Sequence, residues 1–265
     1  MTLKIELSGV EKIYKTAQGK VDALSDINLC VEEGEFLCII GPSGCGKSTL
    51  LRILAGLYQQ SNGEVVIHTN GISSRPANAV VFQEYAIFPW RTVSDNVNFG
   101  LEMRGMARKE RADRTEEYLN KVGLIQFANH YPYQLSGGMK QRVALARALA
   151  TDPEILLMDE PFGALDAQTR IVLQEELVRI WEEEQKTVVY VTHSIEEAIM
   201  LGDRIVLMTA RPGKIKSTYE VNLPRPRKIE LRTTPEYNYL AQVLWEDLVE
   251  EVNKVMMNGA GVGNV

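Results

Sequence analysis

The residues Gly41-Pro42-Ser43-Gly44-Cys45-Gly46-Lys47-Ser48-Thr49 match the pattern G-x-x-x-x-G-K-[ST] at every fixed position. That spacing suits the gripping of a phosphate chain. Glycines let the backbone wrap closely, so several N–H groups can point at a phosphate with no side chain in the way. Lys47 brings a point charge, and the hydroxyl of Ser48 suits a hard divalent cation. Far along the chain, the apolar run Ile155-Leu-Leu-Met158 ends in Asp159 and Glu160. At the end of a buried strand such a pair offers a metal-side carboxylate in Asp159 and a base for polarising water in Glu160. Gln83 follows the run Ala79-Val-Val-Phe82, and His193 follows Val188-Val-Tyr-Val-Thr192. The Gln83 amide can reach a metal or a water, and His193 can donate to a terminal phosphate or orient the water. Finally, Leu135-Ser136-Gly137-Gly138-Met139 places a capping serine before two glycines whose N–H groups are exposed, a second anion-binding helix start. One phosphate loop beside two such helix starts points to chains that pair head to tail, each completing the other's site.

These groups need strands that end at one edge. Glu35-Phe-Leu-Cys-Ile-Ile40 reads as a strand buried on both faces, and a helix is predicted from Lys47 to a stop near Gly56. Leu3 to Tyr14 and Ile27 to Val31 read as short strands around the polar stretch at 18–20, with further strands at Glu64–Thr69 and Ala79–Phe82. From Val93 to Ala150 the chain is charged and helically spaced, which predicts an inserted helical lobe. Then strands (Ile155–Met158, Thr187–Val191, Ile205–Met208) alternate with helices (Gln168–Glu184 and one from Ile195). That alternation predicts an α/β fold with a mostly parallel sheet. The expected division is 1–92 with 151–222 as the core, 93–150 as the helical lobe, and 223–265 as a Pro- and Arg-rich segment plus a helix. That helix is expected from Pro235 to about Met256, with residues 258–264 fraying. There are no internal repeats.

At 265 residues the chain can bury one large core, or one core with a smaller lobe. A net charge of −6 argues against a general nucleic-acid binder. No apolar run approaches the ~18–20 residues that cross a bilayer. The start, Met1-Thr-Leu-Lys-Ile-Glu, lacks a secretory apolar region, so the chain is expected to stay in the cytoplasm and meet a membrane only through a partner.

Together these residues resemble the ATPase subunit of ABC transporters, from Leu3 to about Glu220. The resemblance implies a P-loop NTPase core, RecA-like and mostly parallel with an antiparallel β part, carrying the helical lobe as an insertion. It implies ATP and Mg²⁺, with Ser48, Gln83 and Asp159 on the metal and Glu160, His193 and Gln83 in catalysis. Tyr14 resembles the aromatic residue that stacks on adenine. Gly41–Thr49 resembles the Walker A loop, Leu135–Met139 the signature, Asp159–Glu160 the Walker B pair and Ala164-Leu165-Asp166 the D-loop. Met139 stands where many members carry Gln, so the resemblance carries the Ser136 and glycine contacts but no side-chain contact from residue 139.

Finer features are similar to the nitrate/sulfonate/taurine importer group: Phe82-Gln-Glu-Tyr-Ala-Ile-Phe-Pro-Trp-Arg-Thr-Val93, the Met-type signature, Thr209-Ala-Arg-Pro-Gly213 and Leu223-Pro-Arg-Pro-Arg227. What this group implies is a homodimer on the inner face of the cell membrane, docked on permease subunits and served by an external solute-binding protein. Nitrate, sulfonate, taurine, bicarbonate and similar small solutes stay open. Residues Tyr85–Trp90 would line the groove that receives a permease helix. The Pro/Arg tail is a solvated connector or a contact with lipid or permease. The alternative is a soluble ABC-type clamp, which needs a long coiled coil between Thr49 and Leu135; that stretch has no sustained heptads.

Three cysteines without a C-x-x-C pair give neither a disulfide framework nor a zinc site. Cys30 and Cys38 are expected in the core. Cys45 is most simply a tolerated small residue, but Lys47 and a helix start both favour its thiolate. A thiol reagent is therefore expected to modify Cys45, with ATP protecting it.

Overall fold

A computed structural model describes residues 2–17, 19–69, 71 and 75–260. In order the chain forms β1 (Leu3–Thr16), β2 (Gly19–Glu32), β3 (Phe36–Ile40), α1 (Lys47–Leu54), β4 (Asn62–Ile67), β5 (Asn78–Val81), α2 (Val93–Met103), α3 (Arg108–Lys121), α4 (Gly137–Ala150), β6 (Ile155–Asp159), α5 (Ala167–Glu184), β7 (Thr187–Val191), α6 (Ile195–Leu201), β8 (Arg204–Met208), β9 (Ile215–Glu220) and α7 (Pro235–Ala260). The chain divides into two compact units, one of residues 1–68 and 187–265, the other of residues 69–186.

In the first unit β1 pairs antiparallel with β2 on one side and β4 on the other. β2 is longer than its apolar run suggested, because it pairs with β1 from Thr16↔Gly19 onward while Ala23 and Leu24 point into the core. A second sheet has β3 at its centre. β7 and β8 run parallel to it on either side, and β9 closes the edge antiparallel to β8. All five residues of β3 and of β7 are buried, as parallel strands covered on both faces must be. β9 carried no apolar run; its half-buried and exposed residues are held by pairing with β8.

The second unit pairs β5 parallel with the fully buried β6. α2, α3 and α4 pack on one another, and α4 also touches β5 and α5. Asn96, fully buried on α2, donates to the carbonyls of Phe88, Arg91 and Thr92 and accepts from the Phe88 N–H, which fixes the chain entering that helix.

The Pro/Arg tail is neither a solvated connector nor a free basic arm. Arg227 is buried and donates to the carbonyls of Ile199, Gly202 and Val221, while Arg225 pairs with Asp203 and the Leu201 carbonyl. Burial pushes the Arg227 guanidinium down to about 10, a cost offset by the carbonyls of Ile199 and Gly202 around the end of α6 and of Val221 and Leu223 after β9. The following helix runs to Ala260, past the expected end at Met256; the expectation for 261–264 lies outside the described residues. Its Glu251, 1% exposed, accepts from the Ala210 N–H and meets Lys216 and Lys254.

Arg227→Met keeps the aliphatic stem and removes its four donations, to Ile199, Gly202, Val221 and Leu223. The expected loss is about 3 kcal/mol of unfolding free energy, read as a lower urea midpoint; an unchanged midpoint would show that the tail does not anchor α6.

Candidate active site

The first unit holds the phosphate loop, Tyr14 and His193. The loop leaves the end of β3, and α1 starts from Gly46, whose φ is 109°. A methyl group at Gly46 would lie 2.7 Å from Leu24 Cδ2 and 2.8 Å from the Ala23 carbonyl oxygen, so only glycine fits. On the other side, a methyl group at Gly213 would sit 2.1 Å from the Cys45 carbonyl oxygen. Gly213 is itself zipped to β2, its N–H donating to Ala23 and its carbonyl accepting from Ser25. The sequence motif gave no sign of this wall. Lys47 is buried, and its Nζ donates to the carbonyls of Gly41 at 2.8 Å and Pro42 at 3.1 Å, which keeps the ammonium over the loop. Ser43 and Gly44 are exposed, and Ser48 and Thr49 are half-buried in the first turn of α1. Tyr14 lies beside that turn, its hydroxyl 3.3 Å from Thr49 Oγ1, with Tyr58 at its edge and Lys12 over its ring. His193 follows β7, whose next residue, Thr192, donates its N–H to the Ile39 carbonyl. The imidazole is therefore exposed at the same sheet edge from which Gly41 departs.

The second unit holds Gln83, the signature and the acidic pair. β5 and β6 are parallel with Val81 opposite Met158, so Gln83 and Asp159 emerge at one edge. Asp159 is buried. Glu160 has φ 44°, a left-handed conformation rare for a side-chain-bearing residue, and its carbonyl accepts from the Gly163 N–H in a tight turn. A methyl group on Gly163 would stand 3.9 Å from both Gln83 Nε2 and Glu160 Cβ, so these two side chains border one point. Ser136 is the predicted cap, accepting from the Met139 N–H at 3.3 Å. Its glycines do more than expose amides. A methyl group at Gly137 would be 2.9 Å from the Tyr85 hydroxyl, and one at Gly138 would be 2.7 Å from Thr169 Cγ2. Asp166 caps α5 by accepting from the Thr169 N–H at 3.0 Å, and that hydrogen bond holds its carboxyl below the usual range. The two capped helix starts thus lie together. Arg147 on α4 donates to the Ala86 carbonyl and lies 5.7 Å from the Phe88 ring, strapping the stretch after Gln83 to the signature helix. Burial lowers the Arg147 guanidinium. Trp90 stands 72% exposed at the end of that stretch.

Comparison with known proteins bears on the same segments. The ABC transporter family model matches residues 24–163. A taurine import ATP-binding protein of Pelagibacter ubique is 49% identical over 214 residues, 80% of this chain and 80% of that one. A nitrate import ATP-binding protein of Synechocystis sp. is 43% identical over 242 residues, 89% of this chain and 91% of that one. Among solved structures, a dimeric post-hydrolysis state of an ATP-binding cassette bound to ADP and Pi is 39% identical, with a TM-score of 0.73 over 83% of this chain and 100% of that one. The fold is accordingly that of the P-loop NTPases.

Two cysteine expectations are overturned. Cys30 is exposed, because strand alternation sends Leu29 and Val31 inward and Cys30 out. Cys45 is 1% exposed, and desolvation raises its thiol despite Lys47, whose Nζ is 3.9 Å away. Burial thus opposes the thiolate that Lys47 and the helix start favour, and leaves Cys45 as a small packed residue. A brief maleimide pulse on the native chain should label Cys30 alone, with or without ATP, and Cys38 and Cys45 only after unfolding; mass spectrometry showing Cys45 labelled as fast as Cys30 would contradict this.

Proposed function

The chain belongs to the ABC transporter family, and we infer that it is the ATP-hydrolysing subunit of an importer, driving uptake of a small solute through a separate permease. One observation carries the inference: 80% or more of the chain aligns with nitrate and taurine import ATP-binding proteins, and no catalytic position of the set is vacant. The solute belongs to the class handled by that group: nitrate, a sulfonate, taurine, bicarbonate or a close analogue. Among the described residues no helix is long and apolar enough to cross a membrane, which fits a subunit held at the inner face by its permease.

In the proposed reaction the glycine-rich loop wraps the β-phosphate of ATP with its N–H groups. Lys47 trades its loop carbonyls for β- and γ-phosphate oxygens, and Tyr14 offers its ring to adenine. Mg²⁺ fits the residues present. Ser48, Asp159 and Gln83 all offer oxygen, the donor that a hard divalent cation takes. Bound there, the ion would neutralise charge on the β- and γ-phosphates. Glu160 accepts a proton from the attacking water, while Gln83 and His193 orient it against the γ-phosphate. Ser136 and the amides of Gly137 and Gly138, supplied by a second copy, close over the γ-phosphate. A dimer built this way holds two nucleotides and opens when hydrolysis breaks the bridge. The dimeric ATP-binding cassette bound to ADP and Pi supports this pairing. The exposed Trp90 side of the Gln83 stretch is the proposed seat of a permease helix.

Glu160→Gln should keep ATP affinity, slow hydrolysis by about 10²–10⁴-fold, and accumulate an ATP-bound dimer on gel filtration; wild-type turnover would end the base assignment. Lys47→Ala should lose nucleotide affinity instead, measured by equilibrium dialysis with labelled ATP.

A further inference from the structure

Glu197 is 6% exposed on α6, and nothing in the reaction described above uses it. Its Oε2 accepts from the Tyr190 hydroxyl at 3.0 Å and from Thr192 Oγ1 at 2.6 Å. Thr192 Oγ1 in turn accepts from the Ser194 N–H at 3.0 Å, and Ser194 Oγ accepts from the Glu197 N–H at 3.2 Å. Thr192, Ser194 and Glu197 thereby form a closed ring of hydrogen bonds that includes both chain neighbours of His193 and the first turn of α6. The Thr192 hydroxyl gives its single proton to the carboxyl and a lone pair to Ser194, so the ring runs in one direction.

The elements around it agree. α6 has seven residues, too few to hold its shape alone. Its start is fixed by the ring and its end by Arg227, which donates to Ile199. Burying a carboxyl is costly, and Tyr190 and Thr192 could have been replaced by Phe and Val packed around an apolar residue 197 at little loss of stability. A polar ring at this position orders the chain on both sides of His193 while leaving its imidazole exposed.

We propose that Glu197 is a positioning residue for His193, acting through Thr192 and Ser194 to set the direction in which the imidazole leaves the sheet edge. The proposal rests on the reading of His193 as the group that serves the γ-phosphate.

The test uses the full-length chain and two readouts, ATP turnover with nucleotide affinity and the histidine ring ¹H–¹³C spectrum. The chain has three histidines, His68, His130 and His193, so the spectrum is simple to assign by substitution. Glu197→Ala and Thr192→Val open the ring and should each lower kcat roughly ten- to hundredfold, with ATP affinity within about twofold. Thr192→Ser should recover most of the loss. Tyr190→Phe removes a partner of Glu197 but leaves the ring closed, so kcat should hold even though the thermal midpoint falls. The His193 cross-peak should move in the two ring-opening variants and stay in Tyr190→Phe, with His68 and His130 still throughout. Turnover that follows the thermal midpoint across the series, or a His193 signal unmoved by Thr192→Val, would overturn the proposal. His193→Ala at wild-type turnover would instead overturn the reading of His193, while the cross-peaks still report on Glu197.

Discussion

The first unit depends on how tightly the backbone is packed around the phosphate loop. Gly46 presses on Ala23 and Leu24 of β2, and Gly213 presses on the carbonyl of Cys45. Hydrogen bonds between Gly213 and the Ala23–Ser25 stretch tie those two walls to each other. The antiparallel sheet and the edge of the parallel sheet therefore meet at the loop, with the loop as the packed object between them. These contacts hold the loop's backbone in place without a ligand, which lowers the ordering cost of binding. Through Ala210 and the buried Glu251, the same turn is tied to the C-terminal helix, far outside the residues that the family model matches.

A parallel constraint shapes the second unit. Gly137 and Gly138 let the capped start of α4 approach Tyr85 and Thr169 more closely than any side chain would permit. Tyr85 belongs to the stretch after Gln83, and Thr169 to the helix capped by Asp166. The signature, the Gln83 stretch and the Asp166 turn are thus one packed cluster.

Motif and strand-end positions were legible because they depend on local rules. An apolar run ending in a polar residue predicts a buried strand with a group at its edge, and this holds for β6 and β7, while the apolar run of β3 ends in the glycine that opens the phosphate loop. Ser136 was legible as a cap for the same reason. What could not be read depends on contacts distant in sequence. Nothing near Gly213 says that it faces Cys45, and nothing near Arg227 says that it will end up under α6. Nothing near Glu197 says that it will be buried, because its hydroxyl partners lie on the strand before it and just past that strand's end. Cys45 is similar: neighbours in sequence favour its thiolate, but burial, set by the whole fold, raises its thiol; the exposure of Cys30, by contrast, follows from local strand alternation.

The central claim is that each ATP is enclosed by two copies, one supplying Lys47 and the other Ser136. Mixing two inactive variants, Lys47→Ala and Ser136→Arg, tests it most directly. In a mixed dimer one site pairs an intact Lys47 with an intact Ser136, so the mixture should hydrolyse ATP at about a quarter of the wild-type rate for random pairing, although neither parent does. Turnover no greater than the sum of the two parents would contradict a site shared between copies.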